Sequence, residues 1–279
     1  MCLTALFINP HPVSGEYKLI LVFNRDEFYA RPTKEAEFWQ RNPNIISGQD
    51  MFVGKEGGTW LGVSRMGRFA MLLNILQPGG LNPDAKGRGS LVSDFIQGSM
   101  DGQTYLKDVA KESALYNGFN LITMEFRKDG EVNTNYFTNR ASELPEPVKI
   151  EPGVQVFSNH PVTESWPKTD YVRSEFEKIV KRVPGLNKDN LIKELIAMMS
   201  LDKPLITDVD ISNEMLDVQK RKVLKELVFI KSSNYGTRTT TVILIDAEGT
   251  ISFTERTLKE PIDSKNPEWQ QKTHAASML

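Results

Sequence analysis

Two apolar, strand-length runs open the chain, at residues 3–9 and 17–23, and two more close it, at 237–246 and 250–255; helical periodicity is confined to the middle. A chain ordered this way lacks the regular strand–helix alternation that builds a parallel sheet, and reads as α+β. Pro10, Pro12 and Gly15 punctuate a wide hairpin between the first two runs. Residues 59–64 and 68–74 form another strand pair around Met66-Gly67, and Gly79, Gly80, Pro83, Gly87 and Gly89 mark the loop that follows. Helices are expected at 90–97 and 101–113, a hairpin at 119–126 and 131–137 around Lys128-Asp129-Gly130, and a short strand at 154–157. Val172, Phe176, Ile179 and Val183 then recur at helical spacing until Pro184-Gly185. Asn187 caps a last helix whose apolar stripe is Leu191, Ile192, Leu195, Ile196 and Met199. The expectation is one domain over residues 1–279, with strand 3–9 paired to 17–24 in its interior.

Charge and residue counts exclude several functions. Thirty-four Lys and Arg against 36 Asp and Glu give a net charge of −2, which argues against a dedicated nucleic-acid or anionic-membrane binder. One cysteine permits no intrachain disulfide framework, and His11, His160 and His274 lack the spacing of a zinc motif, so no metal is expected. The longest apolar runs, 19–23 and 241–245, fall far below a bilayer span, so no transmembrane segment is expected. The first fifteen residues carry no Lys, Arg, Asp or Glu, unlike a signal or transit peptide. The expected compartment is the cytoplasm, or an organelle reached without a cleaved leader. Ser277-Met278-Leu279 reads as a frayed tail, since Met replaces the basic residue of a peroxisomal address.

The lone cysteine is at position 2. Removal of Met1 would leave Cys2 with two useful groups: a thiol nucleophile, and an α-amine whose ordinary pKa of about 7.7–8.0 suits a general base. Such a nucleophile needs charge partners and oxyanion donors. Asn24-Arg25-Asp26-Glu27 follows the second apolar run, expected to lie beside the first. Arg25 is the candidate to hold a thiolate and lower its pKa, and Asp26 or Glu27 to orient the amine. Asn74 and Asn159 offer side-chain amides, and Arg238 a second cation. Elsewhere, Lys86-Gly87-Arg88-Gly89-Ser90 combines two cations with a helix start; Ser90 acting as an ordinary cap accounts for most of it. Gly57-Gly58-Thr59-Trp60 reads as a tight turn that also places Trp60 at a pocket mouth.

Met1-Cys2, Asn-Arg-Asp-Glu-Phe-Tyr at 24–29, Gly-Gly-Thr-Trp-Leu-Gly at 57–62, Tyr-Asn-Gly-Phe-Asn-Leu at 116–121, Ser-Asn-His-Pro at 158–161 and Tyr-Gly-Thr-Arg-Thr-Thr at 235–240 closely resemble the transport and Golgi organization protein 2 family, also called the NRDE family. The resemblance implies an intracellular, mitochondrial or Golgi-associated factor in haem trafficking and lipid homeostasis, with haem as cargo; catalysis is not an established family property. His160 and Cys2 have the chemistry of haem ligands, though neither sits in a haem motif. The order Cys2, Arg25 cluster, Asn74, Asn159, Arg238 is more distantly similar to choloylglycine hydrolases and penicillin V acylases. That likeness implies a four-layer αββα sandwich of the N-terminal nucleophile hydrolase type, cofactor-free amide hydrolysis, and a small-molecule acyl or lipid conjugate as ligand. There the cluster reads Arg-Asn-x-Asp; here Glu27 corresponds by register and Asp26 by type.

Overall fold

The computed structural model describes residues 2–77, 80–127, 130–205 and 222–279. In chain order these form β1 (Cys2–Ile8), β2 (Tyr17–Phe28), β3 (Thr33–Phe38), β4 (Ile45–Asp50), β5 (Leu61–Ser64), β6 (Arg68–Asn74), α1 (Ser90–Gln97), α2 (Gly102–Lys111), β7 (Phe119–Phe126), β8 (Val132–Thr138), β9 (Val148–Lys149) and β10 (Gly153–Phe157). Then come α3 (Pro167–Arg182), α4 (Lys188–Met198), β11 (Tyr235–Asp246), β12 (Thr250–Leu258) and β13 (Trp269–Ser277). Two antiparallel sheets result, with orders β10-β1-β2-β11-β12-β13 and β3-β4-β5-β6-β7-β8-β9.

Strand alternation builds the layers. On β2, Leu19, Leu21 and Phe23 face the second sheet and pack with Leu6, Phe69, Met71 and Ile122. Ile20 and Val22 face the opposite way, onto Val172, Phe176 and Ile179 of α3 and Leu191 and Leu195 of α4. Ala70 and Leu72 of β6 and Leu121 of β7 likewise meet Leu91, Val92 and Phe95 of α1 and Leu106 of α2. The architecture is an αββα sandwich, as expected. Strands buried on both faces explain why β2 and β11 read as continuous apolar runs rather than as alternating ones.

Several boundaries differ from the sequence reading. The Asn24–Glu27 cluster lies inside β2 rather than closing it, because β11 pairs along the whole strand as far as Tyr235 opposite Phe28. β3, β4 and β13 are strands the sequence does not announce. Thr33–Phe38 and Trp269–Ser277 are polar edge strands with one open side, so their hydrophobic pattern is weak. The C-terminal residues are not a frayed tail: Met278 N–H donates to Gly249 O, and Leu279 N–H to Arg65 O. Asn187 does cap α4, accepting from Asn190 N–H at 2.9 Å. Ser90 does not cap α1; Gly89 holds that position with no side-chain cap bond. The proposed turn residues Lys128 and Asp129, loop residue Gly79, and Met1 lie outside the described residues.

The turn between β5 and β6 depends on Gly67, at φ 75°, where an added Cβ would stand 2.2 Å from Phe126 O. Gly67→Ala is expected to destabilise the chain by about 1–3 kcal/mol, measured by urea unfolding; an unchanged midpoint would contradict the close approach.

Candidate active site

Cys2 heads β1 on the face directed at the second sheet and is 5% exposed. Because β10 runs antiparallel to β1, with Phe157 opposite Thr4, the next residues of the chain arrive level with Cys2. Ser158 Oγ donates to Cys2 O at 3.0 Å, and Cys2 N–H donates to Asn159 Oδ1 at 3.0 Å. Asn159 Nδ2 in turn donates to Asn74 O at 2.6 Å. As oriented, Asn159 presents an acceptor to the Cys2 nitrogen, not a donor to an oxyanion. Among the described residues the Asn74 side-chain amide has no hydrogen-bond partner, and it lines the cleft.

The β1–β2 register sets Cys2 opposite Arg25, and alternation then sorts the polar cluster. Arg25 and Glu27 share the Cys2 face; Asn24 and Asp26 turn to the helix side. The Arg25 guanidinium lies 3.9 Å above the Trp60 ring, donates to Thr33 Oγ1 at 3.3 Å and stands 3.9 Å from Glu27. Burial lowers its pKa to about 10, opposed by Glu27, so it stays charged at neutral pH. Glu27 also reaches Arg31 at 3.8 Å, and Arg31 pairs with Asp50 at 2.6 Å. Asn24 does not join the cleft: its amide ties Met199 O and Val228 O, at 2.8 and 3.1 Å. Asp26 accepts from Thr237 Oγ1 at 2.6 Å.

Cys2, Arg25, Asp26, Glu27 and Asn74 line one cleft of about 700 Å³, with Trp60 and Leu72 as its apolar floor. Arg238 does not reach it. Its guanidinium is buried, donating to Phe28 O at 3.0 Å, Arg31 O at 2.7 Å and Glu260, and it opens on a neighbouring cavity of about 530 Å³. Trp60 stands between the two cavities. His160 lies outside the cleft, its Nδ1 2.8 Å from Pro161 O.

Burial decides the thiol's state. It pushes Cys2 above the ordinary cysteine value, and nearby Arg25 only partly opposes it. The depressed thiol expected from neighbouring cations is therefore not what the structure holds. Two further cations were not assigned from sequence. Arg88, expected merely to precede a capped helix, lines the cleft and donates to Gly118 O at 2.7 Å; burial lowers it to about 10. Lys168, on the first turn of α3, is fully buried with no hydrogen bond to Nζ. A lysine in an otherwise apolar helix stripe was the available signal. Among the described residues no cluster of three metal-ligating side chains occurs, and no helix is long and apolar enough to cross a membrane.

Two facing antiparallel sheets between helix layers, with a cysteine heading an interior strand, define a four-layer αββα sandwich. The family model described as Transport and Golgi organisation 2 matches residues 1–260, and the chain belongs to that family. It is 41% identical over 281 residues to the bovine Transport and Golgi organization protein 2 homolog, covering 98% of each chain. The human homolog is 40% identical over 276 residues, again covering 98% of each. The Drosophila melanogaster protein is 29% identical over 268 residues, covering 92% of each. Among solved structures, the chain is similar to the C2A mutant of conjugated bile acid hydrolase from Clostridium perfringens: 8% identity, TM-score 0.45, 100% of this chain and 92% of that one. It is also similar to the Caenorhabditis elegans N-acylethanolamine-hydrolyzing acid amidase ortholog: 10% identity, TM-score 0.39, 87% of this chain and 92% of that one.

With one cysteine in the chain, thiol alkylation reads Cys2 alone. At pH 7 the native protein is expected to react with iodoacetamide more slowly than the same chain in urea, and to accelerate steeply above pH 9. Faster reaction of the native form would contradict a thiol raised by burial.

Proposed function

We propose that this protein is a cysteine amidohydrolase whose nucleophile is Cys2, freed at its amine by removal of Met1, and whose substrate is a small amide-linked acyl conjugate. The observation that carries this reading is the hydrogen bond from Cys2 N to Asn159 Oδ1 at 3.0 Å, at the head of a strand facing the cleft. A buried, neutral thiol needs a base beside it. The α-amine of Cys2 is such a base, and Asn159 fixes its orientation.

The chemistry follows from those positions. The amine takes the thiol proton as Sγ attacks the substrate carbonyl carbon, forming the C–S bond and a tetrahedral oxyanion. The Asn74 amide donates to that oxygen. Collapse breaks the C–N bond, and the α-ammonium returns its proton to the leaving amine. Water, deprotonated by the same amine, then cleaves the thioester and restores the thiol. Arg25, held flat on Trp60, keeps positive charge beside the sulfur through the cycle. Arg88 and Lys55, which make no ion pair with an acid among the described residues, suit an anionic group at the far end of the substrate.

A second reading follows from the family resemblance of the sequence: the cleft carries haem or a lipid without cleaving it. The same two cations would meet haem carboxylates, and Trp60 and Leu72 the ring. Turnover of simple N-acyl amides separates the readings. Cys2→Ala is expected to abolish hydrolysis, and Asn74→Ala to lower kcat by about 10²–10³. Turnover surviving Cys2→Ala would remove the nucleophile; a haem titration that shifts the Soret band equally in wild type and Cys2→Ala, without turnover in either, would favour carriage.

A further inference from the structure

The cavity of about 530 Å³ beyond Trp60 lies on the same inner sheet face as Cys2. The strand register shows how it continues the cleft. Cys2 stands opposite Arg25, Arg25 opposite Thr239, and Thr239 opposite Thr257, a row that crosses four neighbouring strands. Trp60, with Arg25 resting on its ring, divides that row. Cys2 and Arg25 line the first cavity, Thr239 and Thr257 the second. A space of this size suits a small molecule, and the amidohydrolase reading gives it no task.

The charges around the second cavity are almost all matched. Lys272 pairs with Glu35, Lys34 with Glu37, Arg238 with Glu260, and Lys259 with Glu268. Glu255 of β12 is left over: among the described residues no cation stands within ion-pair distance of it. Phe253, Glu255 and Thr257 alternate onto the inner face, and this carboxylate is 5% exposed. One of its oxygens accepts the Ala36 N–H of β3 at 2.8 Å. The other has no hydrogen bond among the described residues and opens on the cavity. His274 of β13 donates its Nε2–H to Ala36 O at 2.9 Å, which leaves Nδ1 as an acceptor. The groups that face Glu255 are thus Glu35 and Ala36 from β3, Lys272 and His274 from β13, and Arg25 from β2. A carboxylate withdrawn from water calls for an opposite charge or a full set of donors, and one N–H supplies only part of that.

We propose that this second cavity binds a small molecule through a primary ammonium group, with Glu255 as its counter-ion and Trp60 and Leu258 as the wall for its hydrocarbon part. An ammonium brings three N–H donors and no acceptor, which matches a pocket whose spare polar atoms are acceptors. An anion finds no such match, because each cation along the cavity already holds a carboxylate. The site needs neither the Cys2 thiol nor removal of Met1, so it stands apart from the amidohydrolase reading. Its affinity carries a pH signature. Burial raises Glu255 to about 7; Glu35 adds to the rise, while the Ala36 N–H, Arg25 and Lys272 oppose it. The carboxyl is therefore neutral below that pH and charged above it, whereas an alkylammonium keeps its proton to about pH 10. Binding strengthens as pH rises through 7.

The test titrates the full chain with n-butylammonium chloride, and with n-butanol and sodium butyrate as neutral and anionic counterparts, at constant ionic strength. Ligand-detected NMR reads affinity, and ¹³C-labelled glutamate carboxyls, assigned with Glu255→Gln, read the site. The ammonium is expected to bind saturably, to move the Glu255 signal, and to bind about tenfold more tightly at pH 8 than at pH 6; the alcohol and the carboxylate are not expected to saturate the site. Glu255→Gln, which keeps the shape and an acceptor for Ala36, is expected to weaken the ammonium by about tenfold or more. Glu268→Gln, which removes an exposed acid near the mouth, is expected to leave binding unchanged. Ammonium affinity within about twofold of wild type in Glu255→Gln, even with a lowered Tm, overturns the proposal and leaves Glu255 as a strut for β3. Should Glu255→Gln not fold, wild type decides: n-butanol binding as tightly as the ammonium, or an affinity that fails to rise between pH 6 and pH 8, overturns it. Amide turnover is read separately, and its absence would refute the amidohydrolase reading while leaving a saturable ammonium site intact.

Discussion

The pairing of β1 with β2, Cys2 opposite Arg25, is the constraint on which the rest of the site depends. In an antiparallel pair, opposed residues share a face, and a slip of one residue would turn every side chain over. This register puts the only thiol and Arg25 together between the sheets, and sends Asn24 and Asp26 toward the helices. Apolar burial on both faces enforces it. Leu21 and Phe23 are needed in the inner core as much as Ile20 and Val22 are needed against α3 and α4. The polar end of β2 is thus held by the same packing that holds its apolar half.

Around that register, charge is arranged in two layers. On the cleft side, Arg25 rests on Trp60 and joins Glu27, Arg31 and Asp50 in a chain of ion pairs. On the helix side, Asp26 is held by Thr237. Cys2 lies where the layers meet, and burial leaves its thiol protonated at neutral pH. A site built this way calls for a base that works at the moment of attack rather than a standing thiolate, and the amine end of Cys2 is the nearest group of that kind.

Much of the fold was legible because it rests on long apolar strands and capped helices. The runs at 68–74, 90–97 and 119–126 match β6, α1 and β7 residue for residue. The edge strands were not legible: β3 and β13 carry Lys, Glu and Gln and are defined by what they pair with. The site shows the same division. Residue type pointed to Cys2, Arg25, Asp26, Glu27 and Asn74, which share a cleft. It also pointed to Arg238, which β11 delivers to the far side of Trp60, and it passed over Lys168, whose burial is a tertiary fact. The sign of the thiol shift is hidden from the sequence for the same reason: nearby charges follow from residue types, whereas desolvation follows from tertiary burial.

The central claim is that Cys2, with its amine free, forms a bond to the acyl group of its substrate. Intact-mass analysis of protein quenched in acid during turnover of an N-acyl amide tests it most directly. The account requires a single adduct of the acyl mass, mapped to Cys2, on chains that have lost Met1, and none on chains that keep it. Hydrolysis proceeding with no adduct, or an equal adduct on chains retaining Met1, would contradict it.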